Sequence, residues 1–404
     1  MAEITIDETR LLSDLATLRT FGATGSGVVR PAFSDADLAA RRWLAGRMVE
    51  AGLQPRFDPI GNLFGLPPGD APCCLIGSHS DTQPEGGWLD GAFGVIAGLE
   101  VARASLECGG PPVAVVAFQD EEGRFVGGVT GSRTWMGEVS LKEADASRDR
   151  AGVCLGDLRP TIPELAGTDF LPLARFSAFI EPHIEQGPVL DRHGETVGVV
   201  ETIVGSGNLP VTFVGQQNHA GTTPMALRRD AFQGLVDLAQ RLNRSFGELS
   251  GAATVWTIGH VDLHPNAPSI VPGRATAHLQ WRDGDAARLA RMEAAARALA
   301  REVAKARDLE IHFHDYDYLA PAAMEAGLVA GLEAAAERVA AGVWRRMPSG
   351  ALHDASVMAR YLPTAMIFAP SIGGISHAFE EDTAGSDLAL CVQVLAEAVA
   401  RRSP

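Results

Sequence analysis

The order of apolar and polar positions over the first half of the chain predicts strands that alternate with helices. Positions 36–53 follow a helical period, with Leu44 and Met48 on one face and Gly52 at the expected end. The segment 91–106 is apolar enough to predict a buried helix. Short apolar runs predict strands at 62–65, 73–77 and 113–118. This alternation indicates a largely parallel sheet that helices cover on both sides.

From position 205 to 320 the pattern changes and predicts a separate module. The predicted elements are a strand at 211–214, a helix at 231–242, strands at 254–258 and 275–281, a helix at 286–303 and a strand at 309–313. This βαββαβ order is that of the ferredoxin-like unit, which folds independently. The α/β pattern then resumes, with helices at 326–340 and 354–361 and a strand at 364–369.

The sequence therefore predicts two domains. The first is a mixed, mostly parallel α/β domain with flanking helices, made of residues 1–204 and 321–404. The second, an α+β ferredoxin-like domain of residues 205–320, is inserted into the first.

Composition and charge exclude several classes of protein. The formal net charge of −16 opposes binding to nucleic acid, because phosphate recognition needs a basic surface. No apolar stretch is long enough to span a bilayer, and the first residues lack the basic and apolar segments of a secretion signal. Five cysteines, two of them adjacent at Cys73 and Cys74, are poor material for a disulfide framework. We therefore expect a cytoplasmic protein without a membrane or nucleic-acid partner.

A histidine and two aspartates follow the strand predicted at 73–77. His79, Asp81 and Asp90 come where open α/β sheets place their ligands. Asp81 could hold the imidazole of His79 in one tautomer, and Asp90 could bridge two ions with its two oxygens. On its own, this His-x-Asp sequence is more often a polar loop than a site.

Asp120, Glu121 and Glu122 directly follow the apolar strand predicted at 113–118. Three acidic residues at a strand end are costly unless a cation or solvent compensates them. One carboxylate can bind metal while its neighbour moves protons, which is the division of labour that a hydrolase needs. A solvated acidic turn explains this run equally well when it is considered alone.

Two further loops carry histidines, His183 in the segment 181–187 and His377 in the segment 373–377, each after a predicted strand. Each histidine alone is more often structural than functional. Four strand-end loops that deliver histidines or carboxylates to one edge of a sheet are improbable as independent accidents. The set therefore favours a metal site.

The types of donor narrow the choice of metal. Nitrogen from three histidines with oxygen from two carboxylates suits zinc, manganese, cobalt or nickel better than calcium or magnesium. The donors are His79, Asp90, Glu122, His183 and His377. No cysteine falls in these loops, so an open catalytic centre is favoured over a closed structural zinc site.

With these motifs the chain resembles the M20-type metallopeptidase clan and, within it, the hydantoinase/carbamoylase group of amidases. That group includes N-carbamoyl-L-amino-acid hydrolases, β-ureidopropionases, allantoate amidohydrolases and ureidoglycolate amidohydrolases. The matching segments follow the family order at 77–100, 120–137, 183–188, 218–225, 347–350 and 373–377. His-Ile-Glu-Gln-Gly-Pro and Asn-His-Ala-Gly-Thr-Thr-Pro-Met separate this group from ordinary aminoacylases and dipeptidases of the clan.

The resemblance implies two divalent ions per subunit, Zn²⁺ or Mn²⁺, with Co²⁺ or Ni²⁺ as alternatives, held by the five donors with Asp90 bridging. It makes Glu121 the general base. It assigns stabilisation of the oxyanion to His219, in this family commonly supplied by the partner subunit, and grip on the substrate carboxylate to Arg282. Without the resemblance, a turn histidine and a strand-edge surface charge would be the preferred interpretations of these last two residues.

The resemblance also implies substrate contacts from Gln186, Ser269 and Ser376. It implies that the inserted domain serves as a lid and as the dimerisation surface of a homodimer. Closure of that domain would then assemble the site, because His219 and the metal ligands lie in different domains.

Three positions depart from the family pattern. The loop 121–125 lacks a serine that the family usually has and is one residue shorter. Ser269 replaces an asparagine that normally helps to hold the substrate, and Leu352 replaces the glycine before His353. No departure affects a metal ligand, so the reaction class is better specified than the substrate.

The expected function is that of a binuclear-metal amidohydrolase that cleaves the carbamoyl C–N bond of a small N-carbamoyl amino acid or related ureido carboxylate. Ammonia and carbon dioxide would be released. Allantoate or ureidoglycolate as substrate is one alternative, and an aminoacylase or dipeptidase of the same clan is another. A non-catalytic relative is a further alternative, although such a protein would be expected to lack a ligand or the base.

Overall fold

The computed structural model describes residues 3–402. Within that range the chain forms two compact units. The larger unit contains the described residues up to Glu201 and those from Ala323 onward, and the smaller unit is Thr202–Ala322.

The strands of the described residues are numbered in chain order. They are β1 Ala23–Thr24, β2 Gly27–Val28, β3 Gln54–Phe57, β4 Leu63–Leu66, β5 Cys73–His79, β6 Val113–Phe118, β7 Phe176–Ile184, β8 Val197–Ile203, β9 Gly205–Val214, β10 Asn218–His219, β11 Val255–His264, β12 Ile270–Val271, β13 Arg274–Asp283, β14 Glu310–Phe313, β15 Asp317–Leu319, β16 Ala322–Ala323, β17 Trp344–Ser349 and β18 Thr364–Ala369.

The α-helices are numbered in the same way, and short 3₁₀ turns lie between some of them. They are α1 Glu8–Thr20, α2 Asp35–Glu50, α3 Ala92–Cys108, α4 Thr130–Trp135, α5 Leu141–Ala146, α6 Leu155–Leu158, α7 Val189–His193, α8 Ala231–Leu249, α9 Ala286–Ala306, α10 Ala326–Val339, α11 Asp354–Met358 and α12 Gly385–Arg401.

The larger unit is built on a mixed sheet whose order is β8-β18-β7-β5-β6-β4-β3, with β16 and β17 beside β8. The four central strands β18, β7, β5 and β6 pair in parallel. The sheet is mixed, as predicted, but it is less parallel than expected, because β3 pairs antiparallel with β4, β4 with β6 and β8 with β18. The connection 58–62 between β3 and β4 is too short for a parallel crossover, which needs a dozen or more residues.

Helix α3 packs closely against the parallel centre of this sheet. Nearly all of its residues are buried, as its apolar sequence predicted. A Cβ atom at Gly94 would lie 2.2 Å from the carbonyl oxygen of Pro182, and one at Gly98 would lie 2.8 Å from that of Ile76. These glycines therefore allow the helix to approach β7 and β5. Helices α2, α10, α11 and α12 also contact strands of the sheet.

The smaller unit contains an antiparallel sheet of order β11-β13-β9-β14, and β15 also pairs with β9. Helices α8 and α9 pack on its strands β9 and β13. Their apolar faces enclose a core of their own, which includes the fully buried Trp281 and Phe246. The described residues that form this core all belong to the smaller unit.

The described part of the chain includes no helix with the length and apolar character that crossing a membrane requires.

Candidate metal centre

The C-terminal ends of β5, β6, β7 and β18 meet at one edge of the larger unit's sheet, because these strands run in parallel. His79 is the last residue of β5 and pairs with Phe118, the last residue of β6. His183 on β7 pairs with Phe368 near the end of β18. The register of the sheet therefore places the loops that follow these strands side by side.

The ring of His79 is oriented by the main chain of its own loop. Its Nδ1 atom lies 3.0 Å from the carbonyl oxygen of Asp81 and 3.8 Å from the Asp81 carboxylate. A carbonyl oxygen can only accept, so Nδ1 donates to it, and Nε2 is the ring nitrogen that faces Asp90 and Glu121. The Asp81 carboxylate, which we predicted to orient His79, lies farther from Nδ1 than the main-chain oxygen of the same residue does. The carboxylate instead accepts the Glu122 N–H at 3.3 Å.

Asp90 lies at the centre of the site and contacts three imidazoles. Its Oδ1 atom is 3.2 Å from Nε2 of His183 and 3.4 Å from Nε2 of His79. Its Oδ2 atom is 3.1 Å from Nε2 of His377. Burial alone would raise the pKa of Asp90, but hydrogen bonds with His183, His377 and His79 hold that pKa well below its usual range.

The acidic run after β6 divides into one structural and two site residues. Asp120 has a positive φ of 55°, and its carboxylate accepts the Arg124 and Phe125 N–H groups and the Thr130 hydroxyl. The next two side chains reach the histidines: Glu121 Oε2 lies 3.6 Å from His79 Nε2, and Glu122 Oε2 lies 3.7 Å from His377 Nε2.

These two glutamates are largely buried, which makes their negative charge costly. Burial raises the pKa of Glu121 well above its usual range, and the neighbouring Glu122 adds to the rise while His79 opposes it. Burial also raises the pKa of Glu122 to about 7, with a further contribution from Asp90. Among the described residues, the ion-pair partners of Asp90, Glu121 and Glu122 are histidines only.

The donors fit divalent cations. Ligand atoms of His79, Asp90 and His183 lie within 4.8 Å of one another, and so do those of Asp90, Glu122 and His377. The two groups share Asp90, whose two oxygens face different histidines. Imidazole and carboxylate donors without a thiolate suit first-row divalent ions. The five side chains that we predicted as ligands are thus brought together.

Gln186 and Ser376, both predicted to contact substrate, lie against this centre. The Nε2 group of Gln186 donates to Asp90 Oδ2 at 2.9 Å and lies 3.2 Å from His377 Nε2 and 3.3 Å from Ser376 Oγ. Gln186 and His377 both have φ values in the left-handed region, 56° and 53°. Such backbone strain concentrates at functional sites.

Three residues at the site were not singled out from the sequence. Gln83 donates its main-chain N–H and its amide to the two carboxylate oxygens of Glu122, at 3.1 and 2.6 Å. Glu381 accepts the N–H groups of Leu89 and Asp90. The buried His353 ring packs edge-on against His183, with 4.5 Å between ring centroids, and its Nε2 atom lies 3.0 Å from Ser349 Oγ. No periodicity marks such residues, since only the tertiary fold brings them to the site.

The smaller unit carries the predicted oxyanion donor, His219. This histidine is exposed, and its Nδ1 atom accepts the N–H groups of Gly221 and Thr222, at 2.9 and 3.2 Å. An Nδ1 atom that accepts hydrogen bonds is unprotonated, so the Nε2 atom carries the proton. His219 can therefore donate a hydrogen bond through Nε2.

The remaining predicted substrate contacts, Ser269 and Arg282, also belong to the smaller unit. The carbonyl oxygen of Ser269 accepts the Ala220 N–H at 2.9 Å, beside the pair of short strands β10 and β12. This bond ties Ser269 to the residue that follows His219. Arg282 lies on β13, where its Nε group donates to Gln280 Oε1 at 3.2 Å.

Fold and site together define an α/β protein with a centre suited to divalent metal ions. The sequence model described as "Peptidase family M20/M25/M40" matches residues 75–401. The chain belongs to this family and is a hydrolase.

Two curated relatives and one solved structure agree with this assignment. The chain is 36% identical over 395 residues to the allantoate amidohydrolase of Escherichia coli (strain K12), with 95% of each chain covered. It is 34% identical over 392 residues to the N-carbamoyl-L-amino-acid amidohydrolase of Paenarthrobacter aurescens, with 94% of each chain covered. The structure of an amidase of the hydantoinase/carbamoylase family from Burkholderia phymatum aligns with a TM-score of 0.92 and 46% identity, over 99% of this chain and 98% of that one.

Proposed function

We propose that this hydrolase is a binuclear-metal amidohydrolase that cleaves the carbamoyl C–N bond of a small ureido carboxylate, such as an N-carbamoyl amino acid. The products would be ammonia, carbon dioxide and the free amine. The observation that carries the proposal is the position of Asp90, which faces His79 and His183 with one oxygen and His377 with the other. The two relatives named above act on ureido compounds according to their names, which supports the substrate class.

We assign one ion to each of the two donor groups that share Asp90. His79, Asp90 and His183 would hold one ion, and Asp90, Glu122 and His377 would hold the other. Zn²⁺ or Mn²⁺ fits these donors, and Co²⁺ or Ni²⁺ is an alternative. When bound, such ions supply Lewis acidity, which polarises a carbonyl oxygen and lowers the pKa of water.

In this proposal Glu121 moves the proton. Its carboxylate lies beside His79 but belongs to neither donor group, so it stays free to accept a proton from the attacking water. A C–O bond then forms at the carbamoyl carbon. As the C–N bond breaks, Glu121 returns the proton to the leaving nitrogen. Burial raises the pKa of Glu121, and this helps the side chain to hold the proton between the two steps.

The smaller unit would act as a ferredoxin-like lid. His219 presents a protonated Nε2, which is a suitable donor to the oxyanion that forms during attack. Such a donor is typically worth about 3 kcal/mol. Arg282 would bind the substrate carboxylate through its planar guanidinium. Gln186, Ser376 and Ser269 would complete the substrate contacts. Because Ser269 replaces the asparagine usual in the family, the carboxylate end of the substrate would be held differently here.

We also propose a homodimer that pairs through the smaller unit. Strand β11 lies at the edge of its sheet and has β13 as its strand neighbour there. Val255 and Val261 on this strand are exposed. An exposed edge strand of this kind is a template for pairing with another chain.

The test is a substrate panel with metal-depleted protein that is resupplied with Zn²⁺, Mn²⁺, Co²⁺ or Ni²⁺. The substrates are N-carbamoyl-α-amino acids of both configurations, N-carbamoyl-β-alanine, allantoate, ureidoglycolate, N-acetyl amino acids and dipeptides. We expect metal-dependent release of ammonia from a ureido carboxylate. Faster cleavage of an N-acetyl amino acid or dipeptide would assign the chain to the aminoacylases or dipeptidases of the clan. A protein that binds no metal and cleaves nothing would be a non-catalytic relative.

A further inference from the structure

Glu381 is a buried carboxylate that connects two loops of the candidate metal centre. Its Oε1 atom accepts the N–H groups of Leu89 and Asp90, each at 3.0 Å. Its Oε2 atom accepts the hydroxyl of Ser376 at 2.7 Å. One side chain therefore joins the main chain of Asp90 to the residue that precedes His377.

The structure keeps space for this carboxylate. A Cβ atom at Gly87 would lie 2.0 Å from both Cδ and Oε1 of Glu381, so only glycine is compatible with the observed contact. On the other side, the segment that carries Glu381 is fastened to the end of β18, because the Thr383 hydroxyl donates to the Pro370 carbonyl oxygen at 2.7 Å. The position of Glu381 is thus fixed from both directions.

Burying a carboxylate is costly unless its oxygens are hydrogen-bonded. Both oxygens of Glu381 have partners, and all three partners belong to loops that carry proposed ligands. A small displacement of Asp90 would separate its Oδ2 atom from His377. We propose that Glu381 is a positioning residue, which holds Asp90 against His377 so that the donors of the second ion are already arranged before the ion binds. This inference rests on the proposed binuclear centre.

Two variants at position 381 test whether the hydrogen bonds of this side chain matter. Glu381→Ala removes every contact described above. Glu381→Gln keeps them, because its carbonyl oxygen can accept the two N–H groups and its amide can donate to the Ser376 oxygen. Glu380→Gln is the matched control, since Glu380 is the exposed neighbour in the same loop.

The experiment is a titration of the metal-depleted full chain with Co²⁺, followed by calorimetry and by the visible absorption of the bound ion. We expect two equivalents for the wild type, for Glu380→Gln and for Glu381→Gln. In Glu381→Ala the second Co²⁺ equivalent should bind at least about tenfold more weakly, because loss of a group that orients a metal ligand typically lowers metal affinity by that much. The affinity for the first equivalent should change little. Ser376→Ala removes the hydroxyl that donates to Glu381, so binding of the second Co²⁺ equivalent should be weakened to a smaller extent. This variant replaces Glu381→Ala in the test if Glu381→Ala does not fold.

Wild-type affinity for both equivalents in Glu381→Ala, or in Ser376→Ala when that variant replaces it, would overturn the inference and leave the proposed function intact. Equal weakening in Glu381→Gln and Glu381→Ala would also overturn it, because the contacts would then not be the cause. Failure of the wild type to bind Co²⁺ would overturn the proposed centre and this inference with it.

Discussion

The Oδ2 atom of Asp90 lies 3.1 Å from the Nε2 atom of His377, although the two residues come from the two separate chain segments of the larger unit. Between them in sequence lies the whole smaller unit, Thr202–Ala322. The larger unit must therefore be complete before this pair can form. It follows that changes in the packing of the sheet should affect metal binding, even at residues that contact no ion.

Glu121→Gln tests the assignment of the general base. Removing the proton acceptor should lower kcat by about 10²–10⁴-fold. Metal content should not change, because Glu121 belongs to neither donor group. Ammonia release and metal analysis on the same preparation measure the two effects. Glu85→Gln, at an exposed position, is the control. Full turnover by a metal-loaded Glu121→Gln protein would remove Glu121 from the mechanism.

His219→Ala tests the oxyanion donor of the smaller unit. Loss of the Nε2 proton should lower kcat by about 10²–10³-fold. The stoichiometry of metal binding should stay as in the wild type, because the donor groups lie in the larger unit. His312→Ala is the matched control, since this histidine is also exposed and also belongs to the smaller unit. Unchanged kcat in His219→Ala, or equal losses in both variants, would contradict the assigned role.

Gly94→Ala tests the close contact between α3 and β7. The added methyl would meet the Pro182 carbonyl oxygen, so α3 must move, and overpacking of this kind typically costs about 1–3 kcal/mol. Because Asp90 lies just before α3 and His183 follows Pro182, metal affinity should fall as well. Thermal unfolding and Co²⁺ titration measure the two effects.

Gly331→Ala is the control for that prediction. This glycine lies in α10, and within residues 3–402 an added Cβ would meet no atom within 4 Å apart from those of its chain neighbours and of the helix's own backbone. The substitution should stabilise the helix by up to about 1 kcal/mol, since alanine has the higher helix propensity. If Gly94→Ala and Gly331→Ala shifted the unfolding temperature in the same direction, the contact between α3 and β7 would not be the cause of the shift in Gly94→Ala.

Much of the larger unit could be predicted because its central strands are continuous apolar runs with polar ends. Strand β6 and strand β18 have the predicted bounds, 113–118 and 364–369. Strands β3 and β8 were not among the predicted elements, so the antiparallel pairing at both sides of the parallel centre was missed. Strand β11 extends to His264 rather than 258, because an edge strand with many exposed residues lacks a regular apolar period.

The candidate site could also be predicted only in part. The positions of the donors followed from one rule, that parallel strands end at the same edge of a sheet. The separate roles of Asp120 and Glu122 did not follow, because the hydrogen bonds of the Asp120 carboxylate within its own loop arise only in the folded backbone. Glu381 and Gln83 were missed for a related reason: the groups with which they form hydrogen bonds are distant in sequence.

The stability of the smaller unit should depend on pH through Asp283. Burial would raise the pKa of this residue, but hydrogen bonds from Thr254, from the Asp285 N–H and from Arg288 outweigh burial and lower it. The contact with Arg288 is 2.7 Å long. Since the unfolded chain binds the proton more readily, the charge of Asp283 stabilises the fold above its ordinary pKa of 3.8. That stabilisation is lost as the pH falls through the lower pKa of the folded state.

Asp283→Asn should therefore reduce the free energy of unfolding by about 2 kcal/mol at pH 7, the typical value of hydrogen bonds to a charged group. The difference from the wild type should shrink below about pH 4. Calorimetric unfolding of the metal-depleted proteins at a series of pH values from neutral to acidic measures it, and removing the metal keeps acid release of ions from adding a second pH dependence. Asp262→Asn, at an exposed position on β11, is the control and should match the wild type throughout. A deficit in Asp283→Asn that stays constant over this range would mean that the Asp283 charge is not what stabilises the unit.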